Sequence, residues 1–185
     1  MPDRQASPAV TAEPTVITPP GRPLREAAGW VGAACWCELR LVEVLSGWLA
    51  DEPDAERAAH LWRVRADAAQ RAERWHRHLP ELREMPRAEF VAPPASATAA
   101  LFDDLEVLGP VTGGAGERAG ALVAVLRGLR LGYHEHRSVA VGPADGPVAA
   151  ALVAALRSTF DVIDGDPDPT WTAAVAAIGG LPTPR

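Results

Sequence analysis

Glu38 lies in the middle of an apolar helical seam. Ala27, Val31, Ala34, Glu38, Leu41, Leu45 and Trp48 step alternately by four and three, which is the spacing of the buried stripe of a packed helix. A carboxylate in such a stripe is costly unless something holds it. Further on, Glu73 and His76 are three residues apart, on one face of a helix. One Glu from a first helix and a Glu-x-x-His from a second make half of a di-metal carboxylate site in a four-helix bundle. Two chemistries follow from this set. The groups can ligate iron or manganese. Alternatively, a carboxylate held between apolar helices has a raised pKa and can act as an acid or base near neutrality.

Other polar side chains extend the set. Tyr133 and His136 share an apolar face with Leu122, Val125, Leu126 and Leu129, whereas His134 and Glu135 project elsewhere. The ordinary role of Tyr133 is a core aromatic with a hydroxyl at its wet end. The ordinary role of His136 is a hydrogen-bonded core histidine, though it is placed to meet Glu38 or His76. His60 and His78 read as surface residues. On helix two, Leu61, Ala68, Ala72, Trp75 and Leu79 form one stripe, and Trp62, Ala66, Ala69, Glu73 and His76 form its neighbour. A wide apolar face that includes both stripes puts Glu73 and His76 at the core boundary. The fourth bundle helix supplies no ligand. Its inward face reads Val148, Leu152, Ala155, Leu156, Thr159, Phe160 and Ile163. A standard six-ligand, two-metal set is therefore incomplete. The acids Asp161, Asp164, Asp166 and Asp168 lack the acidic end position of a calcium loop and read as a solvated helix end.

The elements that must position these groups are helices. Residues 1–22 are rich in Pro, Ala and Thr without a helix or strand period and read as a disordered or draped arm before a single domain, residues 23–185. Pro23 opens a helix that runs to about Leu49. Asp51-Glu-Pro-Asp54 is a short connection that caps the next helix, from about Pro53 to Leu79. So short a link implies antiparallel packing. A Pro-interrupted crossing then leads to a short extra helix, Ala97 to Leu108. The glycines of 109–116 make a loop. They lack the Lys and the preceding strand that a phosphate loop needs. A helix from about Glu117 to Arg137 and one from Pro147 to about Asp164 complete the bundle. A short piece from Trp171 to Ile178 folds back over one end.

Composition narrows the function classes. The chain has 185 residues and a net charge of −6, with acids and arginines interleaved, which argues against general nucleic-acid binding. It has no Lys and no Asn, so a Schiff-base lysine and N-glycosylation are excluded. Cys35 and Cys37, two apart on one helix, cannot bridge each other. Unpaired thiols fit a reducing cytoplasm. No apolar run reaches membrane-span length, so no membrane association is expected. The Ala- and Arg-rich usage fits a high-GC, actinobacterial type of genome.

Together, several segments resemble the ferritin-like superfamily, and within it a group of actinobacterial proteins without an assigned activity. They are Cys35-Trp-Cys-Glu38 through Leu45-Ser-Gly-Trp48, Ala72-Glu-Arg-Trp75 with Leu79-Pro-Glu-Leu82, and Tyr133-x-x-His136 with Pro143-Ala-Asp-Gly-Pro147. The resemblance spans roughly residues 28–164. It implies an all-α, antiparallel four-helix bundle with a polar or metal site between the helices, and such bundles often pair as homodimers. It places Glu38 and Glu73 at acidic positions and His136 at a histidine position. Two departures remove ligands. Arg71 stands where the group often has a histidine, and Phe160 stands where it often has an acid. A guanidinium cannot bind a cation, but it can neutralise a carboxylate or hold an anionic substrate.

The expected function is acid/base chemistry on a small organic molecule, without an intact di-iron centre and with no cofactor. Glu38, Glu73, His136 and Tyr133 are the catalytic candidates, with Arg71 and Trp75 binding the substrate. One alternative is an iron- or manganese-dependent oxidoreductase with Glu38, Glu73, His76 and His136 as ligands, which requires His76 to point inward. Another is a non-catalytic ligand-binding or interaction protein.

Overall fold

The computed structural model describes residues 23–108, 115–141, 145–158 and 166–182. Within them the regular structure is helical: α1 (Leu24–Ala50), α2 (Ala55–His78), α3 (Ser96–Glu106), α4 (Ala115–Val139), α5 (Gly146–Ser158) and α6 (Pro169–Ala177), with a single 3-10 turn at Arg87–Glu89. The described residues contain no strand, only an isolated bridge between Leu82 and Met85. None of their helices is long and apolar enough to cross a membrane. The expected helices are all present. The arm 1–22, the loop 109–114 and the segment 159–165, with Phe160, Asp161 and Asp164, lie outside the described residues.

Local chemistry accounts for the helix ends. The Asp54 side chain accepts from the Arg57 backbone N–H at 2.8 Å and starts α2, satisfying a donor that the first turn leaves open. Asp168 does the same for Thr170 and Trp171 at the start of α6, with Pro169 as first residue. Pro80 follows the end of α2 and prevents its continuation.

The seam read on α1 is buried throughout, from Ala27 to Trp48, with Glu38 included. Hydrophobic burial along it drives the packing of α1 on α2. The contacts run in opposite senses along the two helices. Cys35 meets Ala72, Glu38 meets Arg71, and Ser46 meets Arg65, so α1 and α2 are antiparallel. Helix α4 also runs against α1: Trp48 meets Arg118, Glu38 meets Tyr133, and Trp30 meets His136. Leu122, Val125, Leu126, Leu129, Tyr133 and His136 are all buried on α4. Helix α5 packs against α2 and α4, and α6 packs against α4. That last contact is close because α4 carries glycines there. A Cβ on Gly128 would lie 2.6 Å from Val175 Cγ1 of α6, and one on Gly132 would lie 1.7 Å from the carbonyl oxygen of Leu181, just beyond the end of α6.

Helix α2 corrects one expectation. Its buried residues are Leu61, Val64, Ala68, Arg71, Ala72 and Trp75. The neighbouring stripe faces outward: Trp62 is 58% exposed, and Glu73 and His76 are exposed with it. The buried face is narrower than the apolar sequence pattern implies. With about 100° between successive residues, Glu73 lies far around the helix from Arg71.

Candidate functional site: a closed polar core between α1, α2 and α4

Three helices meet at Glu38. Helix α1 supplies Glu38 and Trp30, α2 supplies Arg71 and Trp75, and α4 supplies Tyr133 and His136. Arg71 donates from Nε to Oε1 of Glu38 at 2.7 Å and from Nη2 to Oε2 at 2.9 Å. This is the bidentate fork that a guanidinium forms with a carboxylate. The Tyr133 hydroxyl donates to Oε1 of Glu38 at 2.5 Å, and Trp75 Nε1 donates to the Tyr133 oxygen at 3.2 Å. Glu38 and Tyr133 are 0% exposed and Arg71 1%.

An aromatic wall continues from this network. The Trp75 and Tyr133 rings meet edge-on with centroids 5.3 Å apart, and Trp30 meets Trp75 edge-on at 5.7 Å. Trp30 also stacks flat on the His136 imidazole, with centroids 3.6 Å apart and planes within 6°. The wall excludes water and strengthens the charge interactions beside it. Cys35 adds a tie by donating from Sγ to the carbonyl oxygen of Ala72 at 3.5 Å.

The electrostatics follow from burial. Burial, then the Glu38 carboxylate, push the Tyr133 phenol well above its ordinary value, so it stays a donor at neutral pH. For Arg71, burial disfavours the charge, but the attraction and hydrogen bonds of Glu38, together with the electrostatic pull of Tyr133 and Asp67, outweigh it and the net shift is upward. Burial and then Glu38 also raise the Cys35 thiol, to about 11, and the Cys37 thiol rises for the same reasons. Neither cysteine is an activated nucleophile, since the thiolate is the reactive form.

The structure joins Glu38, Arg71, Trp75 and Tyr133 directly and brings His136 to the same wall through Trp30. Glu73 and His76 do not join them. Glu73 pairs with Arg77 at 3.2 Å on the surface, where its side chain is 69% exposed, and His76 is exposed one turn on. The four residues expected as metal ligands therefore do not converge. Among the described residues, no group of three or more His, Cys, Asp or Glu could hold a metal ion. Arg71 takes the place beside Glu38 that a ligand would need. Among the described residues, the groups around Glu38 do not fit an iron or manganese centre.

Two buried residues were not singled out by the sequence pattern. Trp30 lies outside the stepped seam of α1, yet it covers His136. Arg118, buried at the opposite end of α4, sets its guanidinium 5.1 Å from the centre of the Trp48 ring and donates from Nε to the Leu108 carbonyl oxygen. The signal for Trp30 was its place eight residues before Glu38, within the same wide stripe of α1. No comparable signal marks Arg118. A groove of about 480 Å³ between α4 and α6, floored by Gly128, Leu131 and Val175, is separate from the polar core. Comparison with known proteins finds no matching family model, no matching curated protein and no matching solved structure.

Proposed function

We propose that the chain is a ferritin-like, antiparallel four-helix bundle that binds a small organic molecule at its polar core without a di-iron centre. The observation that carries this reading is Arg71 seated on Glu38 through two hydrogen bonds. In a metal-binding bundle, carboxylate oxygens are left for the cation. Here a guanidinium supplies the positive charge, and it cannot be a ligand. The antiparallel course of α1 against both α2 and α4 supports the bundle.

Binding is favoured over catalysis by the way Glu38 is held. Oε1 accepts from Arg71 and Tyr133, and Oε2 accepts from Arg71. Both oxygens are engaged until a partner leaves. Arg71, Trp75 and Tyr133 are then the contact residues. One contact favours acid/base catalysis as a second reading. The Tyr133 hydroxyl donates straight to Glu38, so a proton can pass along one hydrogen bond when a bound molecule displaces Arg71.

The test combines metal analysis with a ligand screen. Full-length protein is purified without chelator, and small organic molecules are titrated against the fluorescence of Trp30 and Trp75. The expected result is no metal above background and a saturable signal that depends on Arg71. Stoichiometric iron or manganese that disappears in Glu38→Ala would overturn the proposal. Conversion of a bound molecule that is lost in Glu38→Gln and Tyr133→Phe, with binding retained, would select the catalytic reading.

A further inference from the structure

We propose that α2 carries a site for a small oxyanion, carboxylate or phosphate, made by the Nη1 groups of Arg71 and Arg74. The inference rests on the binding role proposed above and names the chemical class of the ligand.

Arg71 spends Nε and Nη2 on Glu38. Its Nη1 is buried and has no hydrogen-bond partner. Arg74 is half-buried, and its Nη1 is likewise buried without a partner. No ion pair of Arg74 is found among the described residues, whereas Arg77 beside it has Glu73. The two arginines are three residues apart on α2, so their Cβ atoms are about 5–6 Å apart on one helix face. One oxyanion offers several lone pairs to two guanidinium groups at that spacing.

The charges point the same way. Glu38 balances Arg71, and Asp67, one turn earlier on α2, adds further attraction on Arg71. Among the described residues, nothing comparable balances Arg74. His78, four residues beyond Arg74, registers the excess: burial first, then Arg74 and Arg77, lower its pKa. Buried donors without acceptors are costly, and a bound oxyanion satisfies both at once. Trp75 directly follows Arg74 in sequence and reports on the site.

The probes are sodium phosphate and sodium acetate, titrated into the full-length protein and matched against sodium chloride of equal ionic strength. Trp fluorescence and thermal midpoint are read together. At least one oxyanion is expected to give a saturable change that chloride does not give. Arg74→Gln, with unchanged helical circular dichroism, is expected to weaken it at least tenfold. Arg71→Lys, which removes the fork, is a second variant and is expected to weaken it as well. Preference for phosphate assigns a phosphoryl ligand, and equal or better binding of acetate assigns a carboxylate. A response identical to that of chloride, or one undiminished in Arg74→Gln, overturns the site. If both anions fail while a neutral molecule binds the core, the anion site falls and the binding role survives. If the core proves to hold metal, the binding role falls, whatever Arg74 does.

Discussion

Arg71 and Glu38 face each other across the α1–α2 interface with Nε and Nη2 each opposite one carboxylate oxygen, and neither side chain is more than 1% exposed. A pair this buried loses nearly all its hydration. Its stability therefore depends on both partners being present. The geometry fixes the register of the two helices, because a shift of one residue would swing Arg71 off the seam.

Removing one partner strands the other. Glu38→Leu or Arg71→Met alone is expected to cost about 3–5 kcal/mol, because an uncompensated charge remains buried. The double variant is expected to recover most of that loss, and it can match or exceed the parent if the apolar pair packs well. Urea unfolding of the four proteins measures the coupling. Additive losses in the double variant would show that the two residues do not form a self-contained pair.

The surface pair on α2 gives the opposite expectation. Glu73 meets Arg77 at 3.2 Å with both side chains more than 60% exposed (69% and 67%). Exposed ion pairs four apart on a helix contribute about 0.3–0.5 kcal/mol. Glu73→Ala and His76→Ala are each expected to shift unfolding by no more than about 0.5 kcal/mol. Neither should change the Trp fluorescence of the core. A large loss of stability in either would mean that the residue turns inward.

These two helices show what the sequence could and could not reveal. On α1 the period is clean, so the burial of Glu38 follows from the spacing of its neighbours alone. On α2 the Ala-rich pattern supports two adjacent phasings, Ala68–Ala72–Trp75 and Ala66–Ala69–Glu73. Alanine is buried or exposed with little change in energy, so it does not choose between them. The choice is made in three dimensions. Arg71 reaches Glu38 only from the first phasing, and Glu73 is then turned away. The stack of Trp30 on His136 was less legible still. It depends on the relative height of α1 and α4, which no local pattern records.

Glycine positions on α1 and α4 predict opposite effects of the same substitution. In Gly132→Ala the new methyl would lie 1.7 Å from the Leu181 carbonyl oxygen, so backbone must move. The expected loss is about 1–3 kcal/mol, as for other overpacked sites. Gly47, inside α1 and exposed, has nothing within 4 Å of the place a Cβ would occupy. Gly47→Ala is expected to stabilise by about 1 kcal/mol through helix propensity. Thermal unfolding of both variants decides the matter. A neutral Gly132→Ala would mean that the Leu181 segment does not sit against α4.

The thiols on α1 predict how the fold responds to alkali. Burial, then Glu38, push the Cys35 thiol from 9.0 up to about 11. In the unfolded chain this thiol ionises near its ordinary value. Between these pH values the folded state therefore binds more protons than the unfolded state, and stability falls as pH rises. The contribution is fully present below pH 9.0 and is lost as pH climbs through about 11, a drop on the order of 2–3 kcal/mol from Cys35. Cys37 and Tyr133, both raised by burial, steepen the same decline. Urea midpoints measured from pH 8 to 11 should show the fall, and Cys35→Ser should make it shallower while keeping a donor for the Ala72 carbonyl. In the native protein near pH 8, a thiol reagent should label neither cysteine until the chain is unfolded. Rapid labelling of folded protein would show that the α1–α2 interface opens far more readily than its closed geometry implies.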